Sequence, residues 1–178
     1  MKSGDIAAVS ALDQEIFLDP WPQEAYIQEV LLTPDTYYFV LESNPPQSTC
    51  KWLWRKKRCI YGFVGLRATL DQGHISTLAV RPDWRGQSFG ELLLITVLKK
   101  ALDIGLTGVV LEVRASNHVA QSLYSKYGFQ TAERKSHYYH NGEDALLLYA
   151  DITGTRYRQL LVVQRQSLHE KQSRGSND

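Results

Sequence analysis

A strand-forming run that passes through a glycine-bearing turn straight into a long amphipathic helix constrains this chain more than any other feature. Residues 74–80, His-Ile-Ser-Thr-Leu-Ala-Val, read as a strand, and the turn Arg85-Gly86-Gln87-Ser88-Phe89-Gly90 follows closely. From Phe89 to Ile104 apolar side chains recur at helical spacing (Leu92, Leu93, Ile95, Leu98, Leu102), and Gly105 supplies the stop. A strand feeding a helix in this way belongs to a sheet with helices packed on its faces. Backbone N–H groups at such a helix start, with the helix dipole behind them, can hold a phosphate anion, and Gly86 and Gly90 permit close approach. Taken alone, the same turn also reads as an ordinary strand-to-helix connection.

The remaining patterns extend this unit in both directions. Ser3 is placed to cap a helix over residues 4–17, where Ile6, Val9, Leu12 and Ile16 share a face. Pro22 suits the first turn of a second helix carrying Tyr26, Ile27, Val30 and Leu31 up to Pro34. Residues 36–42 and 60–70 predict two strands joined by a polar excursion, and residues 109–114 a further short strand. Asn117 can cap a helix with Val119, Leu123 and Tyr127, ending at Gly128. Strands over 130–139 and 145–152 flank a His140-Asn141-Gly142-Glu143 turn, an Asn-Gly hairpin signal. The fold class is α/β in the α+β sense, a mixed sheet with helices on its faces. One domain spans residues 1–152, including a basic loop insertion at 43–58. A polar extension follows over 153–178, in which Tyr157, Leu160, Leu161 and Leu168 form one amphipathic face; from His169 on nothing remains to bury and the end is expected to be disordered.

Composition narrows the function. A chain of 178 residues buries a core without staples. Twenty Lys and Arg against nineteen Asp and Glu give a net charge of +1, so no global field draws it to DNA or a membrane. Cys50 and Cys59 provide no disulfide framework, no four-ligand zinc pattern and no Cys-x-x-Cys pair, and no metal is expected. Asp5 and Asp13 interrupt the N-terminal stretch before an apolar run matures, unlike a signal peptide, and the apolar run at residues 92–98 is too short to span a bilayer. A cytoplasmic location is the expectation.

Three residues are candidates for chemistry. Glu112 places an ionisable group in the apolar run Val109-Val110-Leu111-Glu112-Val113, sharing a strand face with Arg114. It reads either as a same-face salt bridge with Arg114, as simple exposure, or as a catalytic carboxylate. Asn117 reads as a helix cap, and Tyr124 as a core or groove aromatic or an acid.

Taken together these residues carry a specific resemblance. The run from Ile75 to Gly90, followed by Leu111-Glu112-Val113-Arg114-Ala115-Ser116-Asn117 and by Leu123-Tyr124-x-x-Tyr127-Gly128-Phe129, resembles the GNAT acetyltransferases. The nearest likeness is to their RimI branch, N-alpha-acetyltransferases that modify the N-terminus of a ribosomal protein. It extends from the first helix through Asp151, with Pro20-Trp21-Pro22 near the start and Tyr138-Tyr139 and Glu143-Asp144 near the end. The resemblance implies acetyl-CoA as co-substrate. Backbone at Leu78, Ala79 and Val80 would pair with the pantetheine arm, Val80 N–H facing the thioester carbonyl. Arg85, Gly86, Gln87, Ser88, Phe89 and Gly90 would hold the pyrophosphate, and Asn117 would touch the cofactor further along. Glu112 would be the general base and Tyr124 the general acid, while Trp21, Tyr138 and Tyr139 would line the side that receives a protein N-terminus. Ser88 departs from the family pattern, which has glycine there; with Glu91 it forms Ser-x-x-Glu, the signature of a capping box.

Within the insertion, Lys51 to Arg58 is a basic, aromatic patch between Cys50 and Cys59. It reads as a ribosome or RNA contact, as an interfacial membrane contact, or as a solvated hairpin extension with Trp52 or Trp54 folded back on the sheet. Two further functions share these residues: transfer to a small amine or a lysine, which the same base and acid would serve, and a non-catalytic acetyl-CoA-binding or RNA-binding role.

Overall fold

Continuous burial from residue 60 to 66 marks the centre of the sheet, because a strand hidden on both faces must have layers on either side. A computed structural model describes residues 1–43 and 59–174. The patch from Lys51 to Arg58 lies outside the described residues, as does Cys50. In chain order the elements are α1 (Ile6–Ile16), α2 (Gln23–Ile27), β1 (Thr36–Ser43), β2 (Cys59–Thr69), β3 (Gln72–Val80), α3 (Phe89–Asp103), β4 (Gly108–Arg114), α4 (His118–Lys126), β5 (Gln130–Lys135), β6 (Ala145–Asp151) and α5 (Gly154–Arg174). The strands form one six-stranded sheet in the order β1-β2-β3-β4-β6-β5. All neighbours are antiparallel except β3 and β4, which the α3 crossover makes parallel.

Two cores flank the sheet. On one side Leu93, Leu94, Val97, Leu98 and Ala101 of α3 meet Val64, Leu66, Val109 and Leu111. On the other, Val9 and Leu12 of α1 and Tyr26 of α2 cover Phe63 and Ala79. Burying a Leu, Val or Phe side chain contributes about 1.5–3 kcal/mol, so these two layers hold the sheet between them. Asp13 is 2% exposed within the second layer. Its carboxylate accepts from the Tyr26 hydroxyl at 2.8 Å and from the Trp21 N–H at 2.6 Å, which ties the start of α2 to α1. Burial raises the Asp13 pKa above the ordinary carboxylate value, against those hydrogen bonds.

The parallel ladder is short. Only Gln72, Gly73 and His74 pair with Gly108, Val109 and Val110. Ser76 is then an extra residue in β3, because Leu66 faces Ile75 while Gly65 faces Thr77. A bulge at this point re-aims the strand, and β3 and β4 part beyond it. The wedge they leave positions everything described below.

Gly65, opposite the bulge, serves packing. A Cβ there would lie 2.5 Å from Cζ of Tyr38, whose buried ring crosses β2 and places its hydroxyl 3.5 Å from Ser76 Oγ. Gly65→Ala is expected to cost about 1–3 kcal/mol, the usual range for overpacking, read as a fall in Tm on thermal unfolding.

The ends of elements differ in places from the periodicity. Pro22 precedes α2 with ψ of 152° instead of entering its first turn, and α2 continues into a π-turn over Gln28–Leu32. The strand expected over 130–139 stops at Lys135, because His137 takes a φ of +53° and its N–H donates to Asp144 Oδ1. The polar C-terminal segment forms a helix to Arg174, with Tyr157, Leu161 and Leu168 in the α3-side core. Tyr157 donates to the Tyr127 carbonyl and Arg158 to the Leu102 carbonyl, so α5 caps the last turns of α4 and α3. Among the described residues no helix is long and apolar enough to cross a membrane.

Candidate active site

Beyond His74 the wedge side of β3 pairs with no strand among the described residues. Arg81 N–H donates to the Tyr61 carbonyl, which fixes the alternation along β3: Val80 and Leu78 turn their peptide groups away from β2 and into the wedge. Ala79 does the reverse, so its own peptide groups belong to the β2 ladder and its side chain to the α1-side core. The Val80 carbonyl accepts from Arg85 Nε at 3.1 Å, folding the following loop back over the strand end.

That loop prepares the start of α3. Gly86 has a φ of +77°, a conformation that costs an L side chain about 1–2 kcal/mol. At Gly90 an added Cβ would meet nothing nearer than 3.9 Å, so protein packing does not demand glycine there and room is left above the first turn. Trp84 stacks on Tyr61 at 4.7 Å and Phe89 lies 5.2 Å from the same ring, pinning the loop from both ends. Arg85, Gly86 and Gln87 are exposed. The exposed Arg85-Gly86-Gln87 turn, clearance at Gly90 and, among the described residues, a β3 edge with no strand partner beyond His74 fit an elongated molecule with a phosphate at one end.

The expected capping box is absent. Ser88 adopts φ +61° and makes no side-chain cap hydrogen bond, and Glu91 instead accepts from the Tyr127 hydroxyl at 2.7 Å and pairs with Lys126. A left-handed backbone at residue 88 explains why glycine suits this position. Ser88→Gly is therefore expected to raise stability by roughly 0.5–1 kcal/mol, measured as a rise in Tm on thermal unfolding.

Glu112 sits where the two strands part. Its Oε2 lies 2.6 Å from His74 Nε2, and its Oε1 accepts from Lys135 Nζ at 2.9 Å. The His74 hydrogen bond and Lys135 pull its pKa down to about 2, against the opposing effect of burial. The salt bridge to Arg114 that the strand face suggested does not form. Arg114 instead pairs with Asp19 at 2.8 Å and Glu143 at 3.1 Å and lies 3.7 Å over the Tyr139 ring. Arg114 thereby joins the α1–α2 loop to the β5–β6 hairpin, and Asp19 is met from the hairpin side by His140 at 3.1 Å.

Tyr124 of α4 is 7% exposed and packs on Phe129 at 5.7 Å. Burial raises its phenol pKa further above 10, with Tyr139 the electrostatic neighbour, so the group stays protonated. Tyr139 is likewise pushed up to about 12, chiefly by burial. Tyr138, half exposed, meets Tyr139 edge-on at 5.2 Å. Trp21 packs against Tyr26 at 5.6 Å on the α1 side. Asn117 caps α4 by accepting from Ala120 N–H at 3.1 Å.

The structure brings Glu112 to His74 and Lys135, and Arg114 to Asp19 and Tyr139, while Tyr61 and Trp84 stack beside the start of α3; periodicity singles out none of His74, Lys135, Asp19 or that pair. Each of these meets a partner distant in sequence: strand register brings His74 to Glu112, and a loop brings Asp19 to Arg114. Among the described residues no group of three or more His, Cys, Asp or Glu is placed to hold a metal ion.

The fold and site are those of an acetyltransferase: the chain belongs to the acetyltransferase (GNAT) family, whose model matches residues 6–129. Within it the chain is RimI-like. A Bacillus subtilis protein provisionally named ribosomal protein bS18-alanine N-acetyltransferase is 33% identical over 153 residues, covering 85% of this chain and 93% of the relative. The crystal structure of the ribosomal-protein-S18-alanine N-acetyltransferase from Escherichia coli superposes with a TM-score of 0.73 at 26% identity, covering 87% of this chain and 92% of that one. Arabidopsis thaliana NAA60 in complex with acetyl-CoA shares the fold at TM-score 0.72 and 20% identity, over 86% of this chain and 97% of that one.

Proposed function

We propose that this N-acetyltransferase moves an acetyl group from acetyl-CoA to the α-amine of a protein N-terminus, with a ribosomal protein as the target class. The Glu112 carboxylate, held at the wedge by His74, carries the reading, and the names of the relatives support it. Acetyl-CoA, when bound, supplies the acyl group as a thioester. Leu78 and Val80 bind its arm through their wedge-facing peptide groups, and the residues from Arg85 to Gly90 hold its phosphates. Val80 N–H polarises the carbonyl.

Glu112 attracts and orients the incoming ammonium. A carboxylate with a pKa of about 2 is a weak resting place for a proton taken from an α-ammonium of pKa near 8. The proton therefore passes on to water, because the ionised carboxylate accepts from His74 Nε2–H and that nitrogen has no lone pair left to take it. Tyr124, kept protonated by burial, gives its hydroxyl proton to the departing thiolate. At pH 7 an α-amine is neutral several-hundred-fold more often than a lysine of pKa about 10.4, so a site with this modest proton-accepting apparatus suits α-amines.

Initial rates on short peptides with free and with blocked N-termini, with polyamines alongside, test the proposal. Turnover confined to free N-termini is expected. Turnover of blocked, lysine-bearing peptides or of polyamines at equal rates would assign the site to side-chain or small amines instead.

A further inference from the structure

Lys135, the last residue of β5, has an environment that its strand position does not require. Its Nζ donates to Glu112 Oε1 at 2.9 Å and lies 5.3 Å from the centre of the Tyr138 ring. A carboxylate and an aromatic face are what a protein uses to hold an ammonium ion. Glu112 is also the group that receives the acceptor's ammonium in the function proposed above, on which this inference rests. We propose that the Lys135 ammonium is a stand-in for the acceptor: it holds the ammonium position at Glu112 while the groove is empty and is exchanged for the substrate's α-ammonium on binding.

The surroundings favour exchange over a permanent lock. The Lys135 side chain is 31% exposed, so it has water to move into, whereas Glu112, at 16%, stays in place. His74 keeps its own oxygen of Glu112, Oε2, so removal of Lys135 from Oε1 leaves the carboxylate anchored. The groups facing Lys135 are Glu112 on β4, Glu133 on its own strand and Tyr138 in the hairpin. The hydrogen bond to Glu112 also raises the Lys135 pKa, which keeps this internal amine protonated and unreactive while it occupies the site. Lys135 is then a positioning residue that sets how strongly an acceptor must compete for the site.

Steady-state kinetics of Lys135→Met and Lys135→Arg in the full chain, with a free-N-terminus peptide, test the exchange. Removing the internal competitor is expected to lower the peptide KM by about 2- to 10-fold with kcat within about twofold of the parent, and Lys135→Arg is expected to stay near the parent. n-Butylammonium, a free copy of the lysine terminus, should raise the Tm of Lys135→Met and compete with peptide there, with little effect on the parent at the same concentration. A KM that is unchanged or higher in Lys135→Met, or equal butylammonium effects on both proteins, would overturn the proposal. If the parent acetylates no peptide N-terminus, the α-amine assignment falls, and the butylammonium shift still decides whether Lys135 fills an ammonium site.

Discussion

Glu112→Gln is expected to lower kcat near pH 7 by about 10²- to 10⁴-fold, the usual consequence of removing an acid–base group, with acetyl-CoA affinity retained because no cofactor contact is assigned to this side chain. The defect should shrink at high pH, where the α-amine arrives already neutral. The same substitution has a stability signature. The folded carboxyl titrates at about 2 against 4.5 for the free group, so its contribution is present above the unfolded value and is lost as pH falls through about 2. That contribution is on the order of 3 kcal/mol. Between about pH 4.5 and 2 the parent should lose stability that Glu112→Gln lacks throughout, measured by denaturant unfolding at a series of pH values. A variant that turns over like the parent at pH 7 would make the His74–Glu112–Lys135 cluster a structural ion pair.

Tyr124→Phe is expected to lower kcat and kcat/KM together by about 10²-fold or more while leaving peptide KM nearly unchanged, since in the proposed reaction the hydroxyl acts only as the thiolate departs. The ring is buried against Phe129, and the substitution keeps its volume, so a Tm close to the parent's is the accompanying expectation. A full kcat with a raised peptide KM would make Tyr124 a wall of the acceptor groove and pass the acid role to water.

The turn after β3, the helix it opens and the carboxylate on β4 were legible in the residues because each depends on local pattern: glycine placement, 3.6-residue periodicity, and a charge in an apolar run. The partners of Glu112 were not. His74 is 38 positions away and reaches it only because three residue pairs of parallel ladder hold β3 beside β4 before the Ser76 bulge separates them. Lys135 arrives from the far side of β6, across a hairpin whose length the Asn-Gly signal understated, since the strand stops where His137 turns to positive φ. Arg114 illustrates the same limit. Alternation correctly placed it on the face of Glu112, yet its charge is taken up by Asp19 and Glu143, which approach from two different loops. At Ser88 the local capping pattern was overruled by a backbone already committed to the left-handed region.

Acetylation of one peptide that carries both a free α-amine and an internal lysine, with the product sites assigned by fragment mass spectrometry, tests the central claim most directly. A single acetyl group on the α-amine in the parent, and its loss in Glu112→Gln, is the expected result. Acetyl groups on the lysine at comparable occupancy, or an α-amine product that Glu112→Gln forms at the parent's rate, would contradict it.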